Sequence, residues 1–445
     1  MNTALVSISI MLILSLIFRI HVVISLFLGA LLGGIFCGVP LSNIMSAFEN
    51  GLSNGASIAL SYGLLGVFSV ALSYSGLPQL IIKLLLSNIQ KEQKKIYINP
   101  KYLVLSIIIL FGLMSQTLIP IHVAFVFIFI QPLLLLFNQL NLDRRMITCT
   151  ICFGLVAGYM LLPIGFGNVY LNEILLKNLA SAQLDTSNLS VFKAMLIPAL
   201  GMLTGLLISI FFTYRRPKFY KQDPEVVKLL QQGPQEEFKY SSYDVFISLV
   251  AITITFLVQL ISGSLLFGTF VGIVLVFLGR FVNIKQSDQL FDKGFKMMAM
   301  IGLIMITAAG FSNFIKVEGD VPALVQLFLS IFDSPPVVVA ILLLAGLFIT
   351  LGIGSSFATV PILSTIYVPI GLQMGLSPMA ILALVGTAGI LGDAGSPTSD
   401  STLAPTAVLN LDNQHNHLKD SVLPTFIHFN IPLLIFGWCA VMYLA

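Results

Sequence analysis

Gly392-Asp-Ala-Gly-Ser-Pro-Thr-Ser-Asp-Ser-Thr402 follows directly on the apolar run Met379 to Leu391. Two aspartates, three serines and two threonines within eleven residues stand out in a chain of 445 residues that is 57% hydrophobic and 9% charged. Gly392, Gly395 and Pro397 are residues that interrupt a helix. Irregular backbone at membrane depth is tolerated only where protein or a water-filled cavity satisfies its amides and carbonyls. The stretch therefore reads as a break in a membrane helix, with its freed backbone groups and side-chain oxygens turned toward an ion.

The rest of the chain supplies the membrane. A mean hydropathy of +0.99 and repeated apolar runs of roughly 20 residues define an all-α polytopic membrane protein. Segments are expected near 3–18, 21–39, 55–75, 102–137 (two passes), 146–162 and 191–213. A second set follows near 243–260, 264–279, 295–315, 336–372 (two passes), 377–391 and 422–443, about 12–14 in all. The first, Ala4 to Phe18, lacks a basic stretch before it and a small-residue cleavage site after it, and reads as an uncleaved membrane helix. With 22 basic and 19 acidic residues, scattered, the chain offers no nucleic-acid surface. Cys37, Cys149, Cys152 and Cys439 sit in apolar surroundings and read as packing residues.

Between the two sets lies a polar, basic segment, which divides the chain into 1–213, a linker 214–242, and 243–445. The halves share ordered matches: Phe48-Glu49-x-Gly51 with Phe291-Asp292-x-Gly294, Ser115 and Pro120 with Ser356 and Pro361, Pro132 with Pro369, and Gly158-x4-Pro163 with Gly392-x4-Pro397. Short loops rich in Lys and Arg stay cytoplasmic. In the first half 76–101 carries five lysines and 139–146 carries Arg144 and Arg145, while 40–54 has no basic residue. In the second half the pattern reverses, with the basic residues Arg280, Lys285, Lys293 and Lys296 before the long helix. This predicts inverted repeats with a cytoplasmic linker, an architecture that places substrate sites at broken helices on the repeat interface.

Asp393 and Asp400 offer carboxylates, and Ser396, Thr398, Ser399, Ser401 and Thr402 offer neutral oxygens, the hard ligands a hard cation such as Na⁺ prefers. Acids retained in a membrane segment are functional candidates by default; a solvent-exposed loop of ordinary cap residues is the bland alternative. The equivalent first-half break adds Asn168 and Glu173, the latter also suited to a membrane boundary. Two candidate re-entrant hairpins have tips at Met114–Pro120, with Ser115, Gln116 and Thr117, and at Gly352–Pro361, with Ser355, Ser356 and Thr359; small residues there equally suit close helix packing. His122 is open to a proton role or to a structural bond to a carbonyl. His415 and His417 read as part of a solvated loop. A Walker-type phosphate loop does not occur, so the sequence does not support ATP-driven transport.

The segment Gly392-Asp393-x-x-Ser396-Pro397-x-Ser399-Asp400-Ser401-Thr402 resembles the Na⁺/H⁺ antiporter family of the NhaC type, whose counterpart reads approximately G-D-x-x-S-P-L-S-D-T-T. The run Asp412 to Pro424, with His417 and Leu423-Pro424, also looks like that family, and the first 80 residues resemble an N-terminal region on one branch of it. Thr398 replaces the usual Leu and Ser401 the usual Thr. The resemblance implies the ion-transporter superfamily fold, with inverted repeats, re-entrant hairpins and cation sites at broken helices. It also implies a multi-pass location in the cytoplasmic (inner) membrane and, for oligomeric state, a homodimer. Na⁺ and H⁺ are then transported or coupling ions competing for a midplane site at Asp393 and Asp400, and no organic cofactor is expected. Because the same branch looks similar to proteins assigned to amino-acid uptake, histidine included, the rival expectation is a Na⁺- or H⁺-coupled permease for an amino acid or organic acid. A channel or scaffold would leave the acidic break unexplained.

Overall fold

A computed structural model describes residues 2–18, 20–76, 80, 100–117, 126–221, 241–262, 264–280, 282, 285, 287–332 and 334–445. The expected first-half hairpin tip beyond Thr117, His122, Lys83, Lys91, Lys94, Lys95 and linker residues 222–240 lie outside these. Every regular element among the described residues is helical. Six helices are long and apolar enough to cross a membrane, and six shorter apolar helices accompany them. Large apolar side chains such as Phe212, Phe246, Ile261, Phe267 and Leu278 point outward, as lipid contact requires.

In the first half α1 (Thr3–Leu12) continues as a π-helical turn (Ile13–Ile17), followed by α2 (Val22–Phe36), α3 (Leu41–Ser73), α4 (Pro100–Gln116), α5 (Gln131–Gln139), α6 (Arg144–Leu161), α7 (166–181) and α8 (Val191–Ile208). The second half contains α9 (Ser242–Ser262), α10 (Leu265–Leu278), α11 (Ser287–Glu318), α12 (Val321–Ile331), α13 (Pro335–Ile353), α14 (Ser356–Gln373), α15 (Pro378–Ile390), α16 (Asp400–Leu409) and α17 (His417–Leu444). The order of elements recurs: two helices of 21 residues or fewer, one of more than thirty, a pair of helices, a helix ending at a break, a shorter helix beyond it, and a closing helix. Of the residues that would match α12, near 78–88, only residue 80 is among those described.

Close contacts repeat with the sequence. A Cβ on Gly112 of α4 would lie 2.7 Å from Gly154 of α6, and one on Gly346 of α13 would lie 2.7 Å from the Cβ of Ala388 of α15. Gly158 meets Gln116 at 2.8 Å, while Gly392 meets Leu351 at 2.7 Å with Thr350 beside it. These pairs share one spacing, that between Gly158 and Gly392. The long helices α3 and α11 pack antiparallel through glycines. A Cβ on Gly51 would lie 2.8 Å from Gly310, and one on Gly294 would lie 2.4 Å from Val67. Gly51 corresponds to Gly294, and Val67 to Gly310, so each contact is the other with its partners exchanged. A two-fold relation across helix axes produces such an exchange.

The chain directions agree. At one pole, Lys101 of α4 donates to the Arg215 carbonyl at 3.2 Å, and Arg144 at the start of α6 donates to Asn138 of α5 at 3.0 Å. At the other, Trp438 of α17 donates to Pro336 at the start of α13 at 2.8 Å, and Asn2 donates to the Asp320 carbonyl at 2.8 Å. Ser377, the N-cap of α15, donates to the Leu444 carbonyl at that second pole. The pair α4/α5 thus enters from the Arg144 pole and α13/α14 from the Asp320 pole; α6 and α15 likewise run inward from opposite poles.

Arg144 ties the first pole together. Its fully buried guanidinium donates to both carboxylate oxygens of Asp412 at 2.6 and 2.5 Å and to the Leu409 carbonyl at 2.6 Å, while the Tyr220 ring lies 4.1 Å away. Asp412 lies in the loop between α16 and α17. Burial opposes its charge, but the hydrogen bonds and charge of Arg144 prevail and hold its carboxyl below the usual range. The reading of Arg144 as a loop charge therefore needs correction: it is a buried pin between the halves.

Candidate functional site

The helix begun by α15 ends at Ile390 because Gly392 takes φ of +89°, a conformation an L side chain rarely adopts. The Gly392 amide, released from the helix, donates to Oδ1 of Asn430 at 2.7 Å. A short turn over Asp393–Gly395 follows, then extended Ser396 and a second turn at Pro397–Thr398, and α16 starts at Asp400 with Ser399 as its N-cap. The Ser399 hydroxyl oxygen accepts from the Ser401 amide at 3.1 Å, satisfying one of the helix's first orphan donors.

This geometry aims Asp393 inward. The carboxylate is buried, and all three hydroxyls around it donate to it: Tyr159 to Oδ2 at 2.6 Å, Ser356 to Oδ2 at 2.6 Å, and Ser399 to Oδ1 at 2.5 Å. Ser401 donates to the Asp393 main-chain carbonyl at 2.8 Å. Tyr159 comes from α6 and Ser356 from the first turn of α14, so the shell joins both halves and both sides of the break. Tyr159, Tyr170 and Phe357 form an aromatic cluster with ring centroids 5.2 to 5.5 Å apart. Tyr159 and Phe357 of this cluster also reach the cavity beside the carboxylate.

A cavity of about 930 Å³ is lined by Asp393, Pro397, Thr398, Ser399, Asp400, Ser401, Tyr159, Ser355, Phe357 and His417, among others. Its lining includes His417 and Leu418, at the start of α17 near the Arg144 pole. Asp400 is exposed on the wall of this cavity. The two acids expected to share one site have different settings: Asp393 sits inside a hydroxyl shell, whereas Asp400, seven residues on and first in α16, faces the open space.

The remaining candidates divide. Ser396 and Thr402 stabilise the break itself, Ser396 donating to the Leu351 carbonyl at 3.1 Å and Thr402 to the Ser396 carbonyl at 2.5 Å. Thr398 lines the cavity and packs where a Cβ on Gly354 would come within 2.2 Å of its hydroxyl. Gly354, at φ of +74°, and Ser355 form the tip between α13 and α14; Thr359 donates to the Ser355 carbonyl at 2.8 Å. Ser115 and Thr117 bond back to their own helix, to Gly112 and Leu113, and Gln116 donates to Ser115 at 3.2 Å. Asn168 accepts from Asn172 at 2.6 Å and lines neither this cavity nor the one that holds Glu173, so it does not complete the Asp393 shell. Glu173 pairs with Lys177 on the wall of that second cavity.

Sequence reasoning missed Tyr159 and Asn430. A signal for Tyr159 was present: the match of Gly158 to Gly392 makes it the counterpart of Asp393. His417 is more than loop, since its Nε2 bonds to the Pro397 carbonyl at 2.9 Å and its Nδ1 to Thr406 at 2.8 Å. His415 is buried against Ser421 at 2.7 Å; burial is the main cause, with Arg144 and Lys218 adding to it, that lowers its pKa to about 4. The solvated-loop reading is corrected for His415, which is buried, while His417 is half-buried at the start of α17.

A multi-pass helical protein with a buried carboxylate at a helix break, opening on a cavity, has the layout of a secondary transporter. Residues 150–438 match the Na⁺/H⁺ antiporter family, and residues 2–89 match a second model described as a Na⁺-H⁺ antiporter family. The chain belongs to the Na⁺/H⁺ antiporter family. It is 46% identical to the membrane protein VP2115 of Vibrio parahaemolyticus, with all of both chains covered. It is 40% identical to YuiF of Bacillus subtilis, again over the whole of both chains, a protein whose name assigns it provisionally to amino acid transport. Its fold is similar to that of Neisseria gonorrhoeae MtrF, described within a class of antimetabolite efflux pumps, at TM-score 0.60 and 16% identity over 91% of this chain and 85% of that one. The Alcanivorax borkumensis YdaH transporter, described as having an unusual topology, gives 0.55 and 14% over 90% and 88%.

Proposed function

We propose that the protein exchanges Na⁺ for H⁺ at Asp393, with Asp400 supplying a second carboxylate on the approach. The observation that carries this reading is the shell of three hydroxyls on one buried carboxylate. A hydroxyl both donates and accepts, so Tyr159, Ser356 and Ser399 can each satisfy the ionised carboxylate, turn to accept its proton, or present a lone pair to a cation. Carboxylate and hydroxyl oxygens suit a hard monovalent ion. Proton and Na⁺ claim the same oxygens, so they exclude one another, and that exclusion couples their movements.

Charge assigns orientation. The Arg144 pole carries Lys101, Arg145, Arg215, Arg216, Lys218 and Lys221, which by the positive-inside rule is cytoplasmic. The Asp393 cavity then faces the cytoplasm of a cell in whose inner membrane the protein resides. The proposed domain division, two inverted membrane repeats joined by a cytoplasmic linker at 214–242, is supported by the exchanged glycine contacts of α3 and α11.

A second reading, coupled uptake of an amino acid, is favoured by a separate cavity at the opposite pole and by the name of the YuiF relative. Purified protein in liposomes holding a pH dye tests both. Proton movement driven by a Na⁺ gradient alone, and abolished by Asp393→Asn, supports exchange. Movement that waits for an added amino acid supports uptake, and Na⁺-driven exchange retained by Asp393→Asn removes the assignment.

A further inference from the structure

The second cavity, of about 590 Å³, opens beside Ser181, Gln183, Lys316 and Val321, at the Asp320 pole. It and the Asp393 cavity approach each other closely. Helix α11 gives Ile304 to one and Met305 to the other, and α14 gives Phe357 to one and Pro361 to the other. Four residues of helix rise about 6 Å, so a wall about one turn thick separates them.

The outer cavity has a chemistry of its own. Glu173 of α7 supplies a carboxylate; Lys177 of α7 and Lys316 of α11 supply ammonium groups. Glu173 and Lys177 form an ion pair, and Lys316 reaches across to the Ser181 carbonyl at 2.8 Å. Along the wall of α14 stand Pro361, Thr365 and Pro369. Proline has no N–H, so Pro369 leaves the Thr365 carbonyl without its usual helical donor, and Pro361 does the same for Phe357. Ser312 of α11 and Thr365 share a hydroxyl contact of 2.7 Å on the same wall. The volume falls within the roughly 300–1,000 Å³ of small-molecule sites and is far larger than a bare cation needs.

The geometry points to a binding site for a zwitterionic α-amino acid in the outer cavity, its carboxylate held by Lys316 and Lys177 and its ammonium by Glu173 and the freed Thr365 carbonyl. Two ammonium groups against one carboxylate favour a single carboxylate on the ligand, and Glu173 disfavours a second one. The prolines and Met305 leave an apolar face for a side chain. This inference rests on the transporter reading and deepens it: a solute held one turn from Phe357 is adjacent to Ser356, which donates to Asp393.

Thermal unfolding of the full chain in detergent, with each of the twenty L-amino acids at millimolar concentration, tests it. At least one is expected to raise Tm, with its N-acetyl and methyl-ester forms at least tenfold weaker. Glu173→Gln and Lys316→Met are each expected to weaken that effect at least tenfold, and Lys316→Arg to restore it. A shift in Tm by Na⁺, lost in Asp393→Asn, is recorded in parallel, so failure of the cation site is seen separately. No response to any amino acid, equal response to the blocked forms, or binding untouched in Glu173→Gln and Lys316→Met overturns the proposal.

Discussion

Tyr159 and Asp393 occupy matching positions in the two halves, each one residue after the glycine of its repeat, and they touch: the tyrosine hydroxyl donates to the carboxylate at 2.6 Å. The contact therefore lies between equivalent points of two inverted units. One unit places an acid there and the other its hydrogen-bond donor, so a symmetric frame carries a single charge.

Because Tyr159 and Ser356 both donate to Oδ2, each covers for the loss of the other. Tyr159→Phe and Ser356→Ala are each expected to cost about 1 kcal/mol of stability. Together they orphan a buried carboxylate oxygen, and the double variant is expected to exceed the sum of the singles by more than about 0.5 kcal/mol. Thermal unfolding of the four proteins at neutral pH measures this; simple additivity would sink the shared-acceptor picture.

The pin between Arg144 and Asp412 makes a stronger claim. Asp412→Asn leaves a buried guanidinium without its counter-charge, at an expected cost of about 3–5 kcal/mol. Arg144→Met combined with Asp412→Leu removes both charges and is expected to recover much of that loss. Equal damage in the single and double variants would show that the charge pair is not what matters there.

His415 sets a pH dependence. Its folded pKa of about 4 lies below the ordinary 6.5, so between these values the unfolded chain binds the extra proton. The stability it contributes is complete above about pH 6.5 and is lost as pH falls toward 4. Asp412, held low by Arg144, acts in the same direction at lower pH. Melting curves from pH 7 to 4 should therefore fall less steeply for His415→Gln than for the parent; parallel curves would remove the assignment.

Gly354 carries the hairpin tip at φ of +74° with Thr398 against it. Gly354→Ala is expected to cost about 1–2 kcal/mol from backbone strain alone, and the clash with the Thr398 hydroxyl adds to it. Adding Thr398→Ser, which removes the methyl and frees the rotamer, should return part of the loss; an unchanged Tm in Gly354→Ala would mean the tip rearranges freely.

The helix break at Gly392 and the matched spacing of the halves were legible because both are written in local composition: Gly and Pro where a helix must stop, hydroxyls and acids where lipid would forbid them. Which acid turns inward was not. Asp393 and Asp400 are chemically alike in a sequence, and their difference arises from the turn over Asp393–Gly395 and from partners 234 and 37 residues away, Tyr159 and Ser356. Asn168 misled for the same reason, since its neighbour Asn172 takes its oxygen. Arg144 was read as a loop charge because nothing within its segment reveals Asp412, 268 residues distant.

The seam between α3 and α11 has an implication for origin. A contact that returns to itself when its partners are swapped is what two identical half-length chains would make if they met in opposite orientations in one bilayer. The glycines at Gly51 and Gly294 serve such a meeting as well as they serve the joined chain. In that sense the seam has the form of an antiparallel homodimer spelled out on a single polypeptide, and Tyr159 opposite Asp393 is a point where its two halves differ.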